Sequence, residues 1–131
     1  MIQLWHVIAA KIAITLVLWC LPLLFAPKTF FEWVGIPFSD PGIFYRLLGS
    51  AYAALIVAYW YGLIEARSGT TPISTVHMGI VSNGIAAIIL GASGFRGDWS
   101  TWSFLAKAYM WFSFIAVVLI TLGLITTGLI L

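Results

Sequence analysis

Four long apolar stretches run along the chain, each broken off by a short cluster of proline, glycine or charged residues. A helix rises about 1.5 Å per residue and the hydrocarbon core of a bilayer is about 30 Å thick, so one crossing takes about 20 mostly apolar residues. The pattern therefore predicts a single all-α domain, an integral membrane four-helix bundle with spans over residues 2–25, 44–64, 74–90 and 103–131. The first span is expected to bend at Pro22 and to stop before Ala26-Pro27-Lys28, because a proline has no N–H to continue the ladder and restricts the residue before it. The second stops at Glu65-Ala66-Arg67-Ser68-Gly69, and the third at Gly91-Ala92-Ser93-Gly94.

Between the first two spans, residues 27–45 are too polar and too interrupted by Pro37 and Pro41 to cross, yet they carry Phe30, Phe31, Trp33, Val34, Ile36 and Phe38. Such a mixture fits an amphipathic interfacial segment, or equally a cap packed over one end of the bundle.

Composition sharpens the class. Of 131 residues, 63% are apolar and only 8% charged, with six Lys or Arg against four Asp or Glu and a net charge of +2. So few charges cannot clothe a water-facing domain, and the balance lacks the basic footprint of a nucleic-acid binder. Cys20 is the one cysteine, which excludes an intramolecular disulfide and a thiolate metal site. The start of the chain has no Lys or Arg before its apolar run and no small-x-small cleavage pattern, so the first span is expected to be retained. Lys28, Arg46, Arg96 and Lys107 fall on one side of the bundle, and Arg67, with Lys11 snorkelling, on the other. The positive-inside rule then places both termini outside the cytoplasm.

Helices in lipid associate through close contact between small residues. The second span has Gly49-x-x-x-Ala53 and Ser50-x-x-x-Ala54-x-x-x-Ala58, and the third has Ser82-x-x-x-Ala86, Ala87-x-x-x-Gly91 and a central Asn83-Gly84. These two spans are expected to form the tight seam, with Asn83 as hydrogen-bonding glue.

No reactive constellation emerges. His6 and His77 are the two histidines, neither at metal-ligand spacing with another ligand, and no phosphate loop or nucleophile–base pair is present. No metal site and no cofactor is called for by this chain alone. Lys11 is the exception, lying about 13 Å into the first span at the helical rise. A charge at that depth is a functional candidate by default. Its alternatives are snorkelling to the interface or pairing with Glu65 or the terminal carboxylate of Leu131, with Thr15 one turn along the same face. Lys11, Tyr59, Tyr61, Glu65 and His77 make up the candidate polar pocket, Glu65 and His77 being expected to point inward. Arg46 and Lys107 are expected to anchor the opposite interface, Arg46 with Asp40, Asp98 or a lipid phosphate in reach.

The run Leu24-Phe-Ala-Pro-Lys-Thr-Phe-Phe-Glu-Trp-Val-Gly-Ile36, followed by Phe44-Tyr-Arg-Leu-Leu-Gly-Ser-Ala-Tyr-Ala-Ala54, resembles the first helix end, link and second helix start of small four-helix bacterial membrane proteins of the DoxX-like kind. The resemblance covers about a quarter of the chain. It implies a small subunit of a quinone-linked membrane oxidoreductase or an assembly factor. Two functions are therefore expected in order: a non-catalytic membrane subunit, with other membrane subunits or its own copies as partners; or a small carrier or binder of a quinone, lipid or other amphiphile, acting as an oligomer.

Overall fold

The computed structural model describes residues 1–39 and 41–130. It is all-helical, with no strand among the described residues. The order is α1 (Leu4–Phe25), a short α2 (Lys28–Val34), α3 (Ile43–Arg67), α4 (Ile73–Arg96) and α5 (Phe104–Ile130). Four of these, α1, α3, α4 and α5, are long and apolar enough to cross a membrane.

The helix ends differ from expectation mainly in α4, which continues through Gly91-Ala92-Ser93-Gly94 instead of stopping there. These small residues are contact points. A Cβ on Gly91 would lie 2.9 Å from Phe114 Cε2, and one on Gly94 would lie 2.7 Å from Trp111 Cη2, so their lack of side chains lets α5 lie close. The helix stops at Gly97, whose φ of 80° belongs to the left-handed region that glycine enters without cost.

In α1 the turn Thr15–Cys20 winds as π-helix just before Pro22. Pro22 has no N–H to offer the preceding turn, and a π-bulge is one of the ways a helix takes up that gap. Thr127 and Gly128 sit in a second π segment, Ile125–Ile130, that ends α5.

The segment after α1 is a cap. Phe31 and Val34 are buried beneath α2, while Lys28, Glu32 and Trp33 on its other side are exposed. Phe31 stacks on Phe38 and Tyr45 at 4.9 and 5.3 Å between ring centroids. Ser103 at the start of α5 donates to the Val34 carbonyl at 2.8 Å and accepts from the Ala106 N–H at 3.2 Å, tying cap and α5 together with one hydroxyl.

The expected seam between the second and third spans is corrected by the structure. α3 packs along α1, and α4 along α5. α3 and α4 meet near one end, where Gly62 lies against Thr75 and Tyr59 against Gly79 and Ser82, and they stand apart beyond it. Gly49 serves the α1 seam, since a Cβ there would come within 3.0 Å of the Leu24 backbone nitrogen. Ala53 is half-buried, Ala54 is exposed, and Gly84 faces open space. Small residues mark a close approach, but the pattern alone does not name which neighbour approaches.

Thermal unfolding in a neutral detergent checks this pairing. Gly49→Ala pushes a methyl onto α1 backbone and is expected to cost ~1–3 kcal/mol, the range of overpacking in a core. Gly84→Ala meets nothing and should stabilise by up to about 1 kcal/mol through helix propensity. The reverse order would restore an α3–α4 seam.

Candidate functional site

The centre of the bundle is a fully buried tyrosine. Tyr59 on α3 packs with Val7 and Ile8 of α1 and Ile120 and Leu124 of α5. Its approach to α4 depends on Gly79, where a Cβ would lie 3.0 Å from the Tyr59 hydroxyl and 2.5 Å from Leu124 Cδ1. Through that gap Asn83 on α4 donates from Nδ2 to the Tyr59 hydroxyl at 3.0 Å and to the Gly79 carbonyl at 2.7 Å. The short bond to a carbonyl, which can only accept, orients the amide. Asn83 Oδ1 is then left buried without a hydrogen-bond partner among the described residues.

Lys11 comes to the same place from α1. It is 8% exposed, so its side chain is held inside the bundle. Its ammonium lies 5.9 Å from the centroid of the Tyr59 ring. Glu65 and Leu131 were the expected counter-charges. Glu65 is exposed and makes no pair with Lys11, and Leu131 lies outside the described residues. Among the described residues the acids are otherwise engaged: Glu32 is 3.9 Å from Lys28, and Asp98 is 2.9 Å from Arg96. A cation over a ring gains about 0.5–2 kcal/mol. A charged residue at mid-membrane depth costs at least about 2.5 kcal/mol. The ring alone does not balance the charge.

Lys11 and Asn83 both line one cavity of about 430 Å³. α1 supplies Lys11, Thr15 and Trp19 to its wall, α4 supplies Ser82 and Asn83, and α5 supplies Ser113. At 100° per residue, Trp19 would sit about 80° around a regular helix from Lys11. The intervening π turn fits an extra residue into the winding and helps bring both onto one wall. Trp19 Nε1–H donates to Ser113 Oγ at 3.0 Å, which itself donates to the Tyr109 carbonyl at 2.9 Å. The cavity opens where α3 and α4 diverge, between Leu48 and Ala51 on one side and Ile89 on the other, all exposed on the apolar outside of the bundle.

Of the pocket expected from sequence, the structure brings together Lys11 and Tyr59. Tyr61, Glu65 and His77 are exposed. They share helix faces with small residues, but Ala54 on the Glu65 face is exposed and Gly84 on the His77 face meets open space, so the inward assignment of Glu65 and His77 is corrected. The sequence reading missed Trp19, Tyr52, Ser82 and Ser113 as cavity residues. Trp19 needed the π turn. Ser82 carried a signal, one residue before Asn83 in a mid-helix polar pair.

Arg46 is not a free anchor. Its guanidinium donates to the carbonyls of Leu23 at 2.9 Å and Ala26 at 2.7 Å, capping the end of α1 whose carbonyls have no further helical turn to bond. Asp40, an expected partner, lies outside the described residues. Lys107 is half-buried at the start of α5.

A second hollow, of about 900 Å³, lies along α1 and the end of α5. Its hydroxyls are spoken for, the Thr126 and Thr127 side chains donating to carbonyls of their own helix, and His6 Nδ1 accepts from the Gln3 N–H. Met1 and His6, which also line it, are exposed, so it holds no buried polar group like those of the first. No group of three or more potential metal ligands exists among the described residues.

Compared with models of protein families, with curated proteins and with solved structures, the chain matches none.

Removing an uncompensated charge should help the empty bundle. Lys11→Met is expected to raise the thermal stability of delipidated protein in neutral detergent, by ~2 kcal/mol or more if the mid-membrane cost applies. A loss of stability would reveal a counter-charge for Lys11 within the protein.

Proposed function

We propose that this chain is an integral membrane protein that binds an amphiphile, taken up sideways from the bilayer into the cavity between α3 and α4. One observation carries this: Lys11, 8% exposed with no counter-charge among the described residues, and Asn83, whose Oδ1 is buried without a hydrogen-bond partner among them, line the same 430 Å³ cavity. Buried polar groups are satisfied as a rule, an exception calls for an explanation, and ligand pockets are lined by apolar side chains with a few placed polar groups. The mouth supports the route. Its rim is apolar and faces the outside of the spans, so a chain-bearing molecule could enter without leaving hydrocarbon.

The chemistry supports binding or carriage of the amphiphile, with no reaction assigned. A quinone or a lipid belongs to this class, and membrane lipids are the immediate source. An accessory subunit of a larger complex, the first expectation from sequence, draws on the absence of a reactive constellation and on the DoxX-like resemblance. The cavity is a positive feature and gives the binder its stronger support. Lys28, Arg46, Arg96 and Lys107 gather at the α2 end, which supports a cytoplasmic position for that end and an outside position for the termini, in a bacterial inner membrane by the same resemblance.

Native mass spectrometry of the detergent-extracted protein tests the proposal. Wild type should retain about one amphiphile per chain. Ala86→Phe, which fills the cavity wall, should lose it, while Gly84→Leu, on the same helix facing open space, should keep it. An empty wild type, or equal retention in the filled variant, overturns the assignment.

A further inference from the structure

Resting on the amphiphile-binding reading, we propose that the occupant has a single apolar chain and an anionic oxygen head, a carboxylate or a phosphate ester, set against Lys11. Charge decides the sign. Lys11 is 8% exposed with no acid beside it among the described residues, and the other polar residues of the lining are neutral: Thr15, Trp19, Tyr52, Ser82, Asn83 and Ser113. A cationic head would be repelled by Lys11, and a neutral head would leave the ammonium unpaired away from water. An oxyanion converts an isolated buried charge into a hydrogen-bonded pair, the arrangement in which buried charges are tolerated. The neutral hydroxyls and amide then satisfy its remaining lone pairs, and Asn83 Oδ1 can accept from a head that keeps one O–H, as a phosphate monoester does.

Size decides the number of chains. At about 30 Å³ per water, 430 Å³ amounts to roughly fourteen water volumes, room for a head of about four heavy atoms and about ten carbons of one chain, since a methylene takes up about as much space as a water. The remainder of that chain leaves between Leu48, Ala51 and Ile89 into the surrounding hydrocarbon. The aromatic walls Trp19 and Tyr52 flank the path without adding charge.

Dodecanoate, dodecyl phosphate, methyl dodecanoate and dodecyltrimethylammonium share one chain and differ in the head. Delipidated full-length protein in neutral detergent is offered each at equal concentration, and retention is read by native mass spectrometry. One or both anions should be retained at least about tenfold over the ester, a factor corresponding to 1.4 kcal/mol, and the ammonium least. Which anion leads tells a fatty acid from a phosphate ester. Lys11→Met should reduce the anions to the level of the ester while ester retention stays as in wild type, and Lys11→Arg should keep the anion preference. Lys11→Gln reads the same quantity if the methionine variant does not fold.

Equal retention of anion and ester by wild type, a preference for the ammonium, or an anion preference that survives loss of the lysine charge overturns the inference. In those cases the cavity reading still stands if Ala86→Phe abolishes ester retention. Retention of none of the four by wild type removes the cavity reading itself, and this inference with it.

Discussion

The bundle turns on Tyr59. Its ring fills the space between α1 and α5, its hydroxyl ties α3 to Asn83 on α4, and its face lies under the Lys11 ammonium. This is the point where two helix pairs, α1 with α3 and α4 with α5, become one body. Between α3 and α4 themselves the close contacts are confined to this end. Small residues at Gly62 and Gly79 let the backbones approach there; beyond Asn83 nothing draws them together, and the divergence leaves a cavity.

That geometry also explains why the polar groups are unsatisfied. Asn83 spends its two N–H donors on Tyr59 and Gly79, which fixes the amide and leaves Oδ1 over. Lys11 has a ring for company, and a cation–π contact is weak beside the cost of burying a charge without an opposite one. A bundle selected for stability alone would have an apolar residue at position 11. A lysine on a cavity wall is the feature on which the proposal of a bound amphiphile rests.

At the opposite end the same accounting closes. Arg46 bonds the last carbonyls of α1, Ser103 bonds the end of α2, and Phe31, Phe38 and Tyr45 stack over the junction, with the Tyr45 hydroxyl donating to the Pro37 carbonyl. A rigid cap there is consistent with an unsatisfied middle: the two features sit on different parts of α1, separated by its π turn.

By itself the sequence determined the class of fold, because runs of about 20 apolar residues bounded by proline and glycine have one economical solution, the helix that satisfies its own backbone. It also singled out Lys11 and Asn83, since a charge or an amide inside such a run is costly wherever the helix lies. Which helices would be neighbours was not legible. Gly49, Ala54 and Gly84 have the same small-residue signature, yet one touches backbone, one is exposed and one meets open space, because periodicity places a residue on a face without saying what the face meets. The partner of Lys11 was lost in the same way: Glu65 lies at the right end of the bundle and points out. The cavity, and Trp19 and Ser113 within it, were decided by the tertiary structure, since the divergence of α3 from α4 arises only when distant segments pack, and a proline at position 22 does not by itself say that the turn before it winds as π-helix.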